Sequence, residues 1–198
     1  MKSKTWIYRH KNDQFVKKAK QLGYINRAAF KLQEIEQKFK IIEKSKEVLE
    51  LGASPGGWTQ VIINSNSFVN ITCFDLLEMK LKNKNVTFFK EDFLNHDFNN
   101  IINKFDLVLS DIAPNTTGHQ STDHLKISQL VYEIIDRLKI ILKYKGSFIF
   151  KIWKGEEEKE IINTLKSMFN KVDYFKPKSS RKESSEIFIV SREFKIDE

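Results

Sequence analysis

Residues 47–58 read EVLELGASPGGW, a short strand-like run followed by a loop with three glycines and a proline. A run of this length that ends at glycine is typical of a buried strand. Gly52, Gly56 and Gly57 allow the backbone to approach a ligand closely, and the next helix is expected to begin near Gly57. The stretch therefore predicts a strand, a ligand-binding loop and a helix in succession.

Outward from this unit, apolar runs alternate with helical patterns. The predicted strands cover residues 47–51, 70–76, 86–92, 105–112, 147–153 and 186–194. Helices are predicted after Asn26, from Thr122 to Lys143 and from near Gly155. This alternation predicts an α/β fold with a mostly parallel, doubly wound sheet and helices on both faces. We expect a single domain over residues 1–198, with a basic arm and the first helices at 1–31 and a cofactor-binding core at 45–198.

Carboxylates lie at the ends of three of the predicted strands, at Asp75, Asp92 and Asp111. Ligands of doubly wound sheets bind beyond the carboxyl ends of the strands, so these side chains are candidate ligand contacts. The loop lacks the G-x-G-x-x-G spacing of dinucleotide sites. Three carboxylates favour a ligand with hydroxyls, an amine and a positive centre, and S-adenosylmethionine fits that description better than NAD. Each aspartate taken singly could also be a turn or cap residue.

The formal charge of +8 is concentrated at the N-terminus. Residues 1–31 carry nine Lys or Arg side chains against Asp13 alone, whereas the rest of the chain carries 25 of each sign. Aromatic residues at Trp6, Tyr8, Phe15 and Tyr24 interleave with these cations. Cationic side chains pair with phosphates, and aromatic rings stack on bases. Residues 1–31 are therefore predicted to bind RNA. A solvated helix face and a targeting extension remain alternatives.

Other features limit the classes of protein to which this chain can belong. The four histidines lack metal-ligand spacing, so no metal is predicted. The single cysteine, Cys73, lies in an apolar stretch and is expected to be a buried structural thiol. No apolar run is long enough for a membrane span, and no secretory signal is visible, so a soluble protein is expected.

Two charged residues interrupt predicted strands at their ends. Lys151 lies between Phe150 and Ile152, where its ammonium is costly to bury without a partner or a cleft. Glu186 opens the last predicted strand. Both are candidates for chemistry at the strand ends, although a charge that protects an edge strand is the structural alternative. Lys31 lies off the apolar stripe of its predicted helix and is expected to point away from that stripe.

Seven segments distributed in order along the chain carry a family resemblance: HKNDQFVKKAKQLGYINRAAFKLQEI, LELGASPGGW, CFDLLEM, EDFLNHDF, LSDIAPNTTG, GSFIFKIWKGE and KPKSSRKESSEIFIV. Through them nearly the whole chain resembles the FtsJ-type ribosomal RNA 2′-O-ribose methyltransferases. The resemblance implies a Rossmann-like methyltransferase sheet of seven strands with an antiparallel last strand. It also implies a catalytic tetrad of Lys31, Asp111, Lys151 and Glu186. The cofactor positions that carry over are Gly56, Trp58, Asp75, Asp92 and Asp111, with Trp58 expected at the pocket entrance.

The implied reaction is methyl transfer from S-adenosylmethionine to a ribose 2′-hydroxyl, with a uridine in large-subunit ribosomal RNA as the expected target. Lys151 is the candidate general base or final proton acceptor, and the sequence leaves open whether it acts early or late. A monomer is expected, in the cytoplasm or in an organelle matrix. Alternatives are a tRNA or mRNA-cap 2′-O-methyltransferase, a base-modifying methyltransferase, a non-catalytic RNA-binding assembly factor and a nicotinamide oxidoreductase.

Overall fold

Seven strands and five α-helices form the described part of this computed structural model, which comprises residues 8, 12–98, 101–112, 120–153, 155, 157–181 and 184–195. The strands are β1 (Glu47–Leu51), β2 (Asn70–Phe74), β3 (Val86–Phe89), β4 (Phe105–Ser110), β5 (Leu142–Trp153), β6 (Phe169–Phe175) and β7 (Glu186–Phe194). The helices are α1 (Gln14–Gln21), α2 (Ala29–Phe39), α3 (Gly57–Ser65), α4 (Gln120–Ile141) and α5 (Glu158–Met168). Single 3₁₀ turns lie at Ile42–Lys44 and Phe93–Asn95.

The strands form one sheet in the order β3-β2-β1-β4-β5-β7-β6. Neighbouring strands among the first five in this order, β3, β2, β1, β4 and β5, are parallel. The strand β7 pairs antiparallel with both β5 and β6. The predicted Rossmann-like sheet with an antiparallel last strand is therefore confirmed. Because β7 runs against its neighbours, its first residue lies at the edge where the parallel strands end.

The structure changes several predicted boundaries. The bounds of β1 and β7 are as predicted, and β2, β3 and β4 end two or three residues earlier, which places all three aspartates just beyond their strands. The strand β5 begins at Leu142, directly after α4. The sequence pattern predicts no strand at β6, because its residues Asn170, Lys171 and Asp173 are polar. As an edge strand, β6 is only partly covered and tolerates such residues.

Helices cover both faces of the sheet. On one face, α4 and α5 pack on a core that includes Leu49, Phe148 and Phe150, and on the other α2 and α3 cover Val48 and Ile149. Burial of each large apolar side chain contributes about 1.5–3 kcal/mol. Side chains alternate between the faces along a strand. This alternation assigns Lys151 to the α2–α3 face, with Ile149, although it lies in a largely apolar strand.

The environment of Cys73 agrees with the prediction from the sequence. Cys73 is a free thiol, fully buried in β2, as predicted. Within the described ranges, no helix is both long enough and apolar enough to cross a membrane.

Candidate active site

Lys151 and Asp111 form the centre of a charged cluster at the carboxyl edge of the sheet. Ser110 pairs with Phe150 in the β4–β5 register, so the residues that follow them lie side by side. The Lys151 ammonium donates hydrogen bonds of 2.8 Å to both Asp111 Oδ1 and the Asp111 carbonyl oxygen. Only 7% of the Lys151 side chain is exposed. The ammonium is therefore fixed by two oxygens of one residue.

Lys31 extends this pair into a chain of four alternating charges. Its ammonium lies 2.8 Å from Glu186 Oε2 and 3.9 Å from Asp111 Oδ2. Glu186 begins β7 and pairs with Trp153 at the end of β5, which brings it to the same edge. The order Lys151, Asp111, Lys31, Glu186 joins all four residues that the sequence singled out, two cations and two anions.

The orientation of Lys31 differs from the prediction. The sequence placed it away from the buried stripe of its helix, but its side chain is only 13% exposed, and its ammonium lies 5.5 Å from the centre of the Phe188 ring. The reason is that α2 packs on the start of β7 as well as on the sheet core. The aliphatic stem of a lysine can cover apolar surface while its ammonium reaches a polar partner, which is Glu186 here.

The two lysines control the ionisation of Asp111. Burial alone would raise the pKa of this carboxyl, but the charges of Lys151 and Lys31 and the hydrogen bond from Lys151 outweigh burial and hold the pKa below its ordinary value. Asp111 is therefore a carboxylate at neutral pH. It can bind both ammonium groups without taking up a proton.

The glycine loop follows β1 beside this cluster. Gly52 has a φ of +80°, and a Cβ atom there would lie 2.8 Å from Cγ1 of Ile112, the residue after Asp111. A Cβ at Gly57 would lie 2.1 Å from Asn26 Oδ1. Asn26 in turn accepts a hydrogen bond from the Ala28 backbone at the start of α2. The glycines thus allow close packing within the protein, in addition to the ligand approach that the sequence suggested.

Asp75 and Asp92 hold the loops that follow β2 and β3. The carboxylate of Asp75 accepts from the backbone N–H of Ser54 and of Leu77, each at 2.8 Å. Asp92 accepts from the Leu94 N–H at 3.0 Å and so caps a 3₁₀ turn. Both side chains keep some exposure, and each carboxylate oxygen has a second lone pair for a ligand. Their contact with a cofactor stays a prediction.

Trp58 does not lie where the sequence placed it. Its side chain is 3% exposed, its indole N–H donates to the Ala28 carbonyl at 2.9 Å, and its ring lies 5.6 Å from that of Phe188. The indole therefore joins α3 to the start of α2 and to β7 within the core, and it is not at a pocket entrance. An apolar helix residue beside glycines reads equally well as core or as ligand contact, which is why the sequence misplaced it.

Glu50 is a buried carboxyl that the sequence reasoning missed. Burial raises its pKa to about 8, and its Oε2 accepts a hydrogen bond of 2.6 Å from the Thr59 hydroxyl. Thr59 belongs to the first turn of α3, so Glu50 fixes the helix that follows the glycine loop. A charged residue inside a buried strand was the signal available in the sequence. Across the described residues, no group of metal-ligating side chains is arranged to hold a metal ion.

Comparison with known sequences identifies close relatives. A family model described as FtsJ-like methyltransferase matches residues 24–194. Ribosomal RNA large subunit methyltransferase E from Wolbachia sp. subsp. Brugia malayi is 39% identical over 202 residues, which cover 98% of this chain and 90% of the relative. The protein of the same name from Wolbachia pipientis wMel is 42% identical over 188 residues, covering 92% and 96%.

Solved structures share the fold. A crystal structure described as a ribosomal RNA methyltransferase from Plasmodium falciparum matches with a TM-score of 0.75 at 29% identity, over 86% of this chain and 98% of that one. Fibrillarin from Methanococcus jannaschii, at 18% identity and a TM-score of 0.56 over 78% of this chain and 70% of that one, shares the fold alone. The sheet order and the charged edge beside the glycine loop define a Rossmann-like methyltransferase. With the family match over most of its length, the chain belongs to the FtsJ-like methyltransferases.

Replacement of Gly52 by alanine tests the role of the loop. Gly52→Ala should cost about 1–2 kcal/mol for the positive φ and more for the contact with Ile112. It should also weaken binding of S-adenosylmethionine by about tenfold or more, because the loop and Asp111 shift together. Urea unfolding and calorimetric titration measure the two effects.

Gly23→Ala is the matched control, since Gly23 has a φ of +72° and a Cβ there would meet nothing within 4 Å. The Gly23→Ala variant should lose only the stability that the positive φ accounts for, and its affinity for S-adenosylmethionine should stay unchanged. Equal losses for the two variants would show that the contact with Ile112 is unimportant.

Proposed function

We propose that this protein transfers the methyl group of S-adenosylmethionine to a ribose 2′-hydroxyl of large-subunit ribosomal RNA, with a uridine as the target. The observation that carries the proposal is the chain of alternating charges from Lys151 to Glu186, which lies at the carboxyl edge of the sheet beside the glycine loop. A hydroxyl that attacks a methyl group needs alignment and a partner for its developing charge, and this cluster supplies both.

The cofactor fits the residues at this edge. The loop from Gly52 to Gly57 would hold it from β1, the carboxylate of Asp75 would accept from its ribose hydroxyls, and Asp92 would accept from its exocyclic amine. Asp111 would face its positively charged methionine end. When bound, S-adenosylmethionine supplies an electrophilic methyl group. Carboxylates that accept from hydroxyls and an amine match such a ligand better than a diphosphate, which they would repel.

Lys151 would contact the reacting oxygen. Among the described residues, Asp111 accepts from two of its three N–H groups, and the third would donate to the ribose oxygen. An ammonium donates hydrogen bonds and cannot accept a proton. Lys151 would therefore stabilise the partial negative charge that the oxygen gains as its proton passes to a carboxylate oxygen of Glu186 and the new C–O bond forms. On this assignment Lys151 stabilises the oxygen and takes neither of the two proton-accepting roles that the sequence left open.

Glu186 and Lys31 would orient the substrate. Glu186 accepts from Lys31 through one oxygen and from the Ser180 hydroxyl through the other, and each oxygen retains a lone pair for the ribose hydroxyl. Lys31 neutralises Glu186 and lies near Asp111. A base-modifying enzyme or an oxidoreductase would give these two residues no role, and an RNA-binding factor without catalysis would have no need of the complete tetrad.

The choice of RNA rests on charge and on the relatives. The basic segment 1–31 is suited to a polyanion, and the side chains of Lys17, Lys18 and Lys20 lie on α1 with Tyr8 exposed nearby in sequence. Trp6 and most residues before Asn12 lie outside the described part. The relatives named above are bacterial enzymes of large-subunit ribosomal RNA, which favours that substrate over tRNA and a bacterial cytoplasm over an organelle. We propose a single methyltransferase domain that acts as a monomer without a metal.

Removal of the Lys151 ammonium should abolish methyl transfer. Lys151→Ala removes the group that stabilises the attacking oxygen, so the single-turnover rate should fall by about a hundredfold or more. Cofactor affinity should stay nearly unchanged, because the loop and Asp75 remain. The measurement is transfer of labelled methyl groups to RNA, with calorimetry for the cofactor.

Lys143→Ala is the control, because Lys143 lies at the opposite end of β5 and also pairs with an aspartate, Asp106, at 2.9 Å. It should retain the wild-type rate. Substantial turnover by Lys151→Ala would remove Lys151 from the mechanism.

Mapping of the methylated nucleotide tests the substrate. Incubation of the protein with S-adenosylmethionine and either ribosomal RNA or tRNA should give a single 2′-O-methyluridine in large-subunit RNA. Methylation of tRNA alone would refute the ribosomal substrate, and methylation of a base would refute the ribose chemistry.

A further inference from the structure

The segment of residues 177–181, between β6 and β7, is fixed against α2 by several polar contacts. Glu34 of α2 accepts hydrogen bonds from the backbone N–H of Ser179, at 2.9 Å, and from that of Lys178. Arg27 donates to the Ser179 carbonyl and pairs with Asp13, which caps α1. Charge-assisted hydrogen bonds of this kind are stronger than neutral ones. The segment is therefore held in one position relative to the helix that carries Lys31.

Ser180 points from this segment to the charged cluster. It is only 8% exposed, and its hydroxyl donates a hydrogen bond of 2.7 Å to Glu186 Oε1. Lys31 occupies the other oxygen of the same carboxylate at 2.8 Å. Each oxygen of Glu186 thus has one donor, and the two donors come from separate parts of the chain. This arrangement fixes the rotation of the carboxylate.

The position of Lys31 depends on that rotation. Its ammonium lies 2.8 Å from Glu186 but 3.9 Å from Asp111, so the two carboxylates compete for it. If Glu186 turned away, Lys31 could move into direct contact with Asp111. It would then share the carboxylate that holds Lys151, and Lys151 would lose part of its alignment.

We propose that Ser180 is a positioning residue for methyl transfer, which holds Glu186 so that Lys31 stays between the two carboxylates and Lys151 keeps Asp111. The inference rests on the proposed function, because it assigns Ser180 a part in that reaction. Ser180 acts through Glu186 and does not touch the reacting atoms.

Replacement of the hydroxyl should slow the chemical step without weakening cofactor binding. Ser180→Ala should lower the single-turnover rate by about ten- to a hundredfold, the range for loss of one hydrogen bond to a charged group. The KM for S-adenosylmethionine should stay unchanged. Ser180→Thr keeps the hydroxyl and should retain at least half of the rate, and a threonine variant as slow as the alanine variant would overturn the assignment.

Ser179→Ala is the matched control. Ser179 is the preceding residue and is fully buried, but its hydroxyl makes no hydrogen bond within the described part of the chain. Its removal should leave the rate unchanged, with both variants melting within a few degrees of the wild type. Equal rates for Ser179→Ala and Ser180→Ala would contradict the proposal.

A double variant separates positioning from a general structural effect. If Ser180 acts only through Glu186, then Ser180→Ala combined with Glu186→Ala should be no slower than Glu186→Ala alone. Multiplied losses would overturn the assignment. A wild-type protein that methylates no RNA would refute the proposed function and this inference with it, whereas an active wild type with an equally active Ser180→Ala would refute the inference alone.

Discussion

The carboxylate of Asp111 between two ammonium groups is the interaction on which the rest of the site depends. A carboxylate removed from water loses several kcal/mol of solvation unless it finds charged partners and hydrogen bonds. Lys151 and Lys31 provide those partners, and their combined effect on the pKa of Asp111 exceeds that of burial. Asp111 is therefore ionised, and the side chains of Lys151 and Lys31 that bind it lie where a nucleophilic oxygen needs them.

Three features of the fold deliver these groups to one place. The parallel register of β4 and β5 sets Asp111 beside Lys151. The helix α2, which covers one face of the sheet, carries Lys31 to the same carboxylate. The reversed direction of β7 brings Glu186, the first residue of its strand, to the edge where the other strands end. A parallel β7 would carry Glu186 to the opposite edge. The antiparallel last strand is thus a requirement of the tetrad as well as a feature of the family fold.

Much of this arrangement could be predicted from the sequence, because buried strands are apolar runs and charged residues at their ends are conspicuous. The strand β6 was missed because an edge strand keeps polar residues. The predicted orientation of Lys31 was wrong, because the apolar pattern of one helix does not reveal that a second element, β7, packs beside that helix. Ser180 and Glu50 carry no distinctive spacing, and their roles depend on contacts with residues that are distant or on other elements. Trp58 was misplaced because an aromatic ring beside a loop suits either core or ligand.

A carbon-detected NMR titration of the folded protein measures the pKa of the Asp111 carboxyl and so shows whether two charged lysines hold this carboxylate. We expect a pKa below the ordinary aspartate range, since two ammonium groups stabilise the carboxylate. The contribution of this carboxylate to stability is present above the pKa of the unfolded chain and is lost as the pH falls through the folded pKa. A pKa well above the ordinary range would show that burial dominates, and it would contradict the arrangement of Asp111 between two charged lysines.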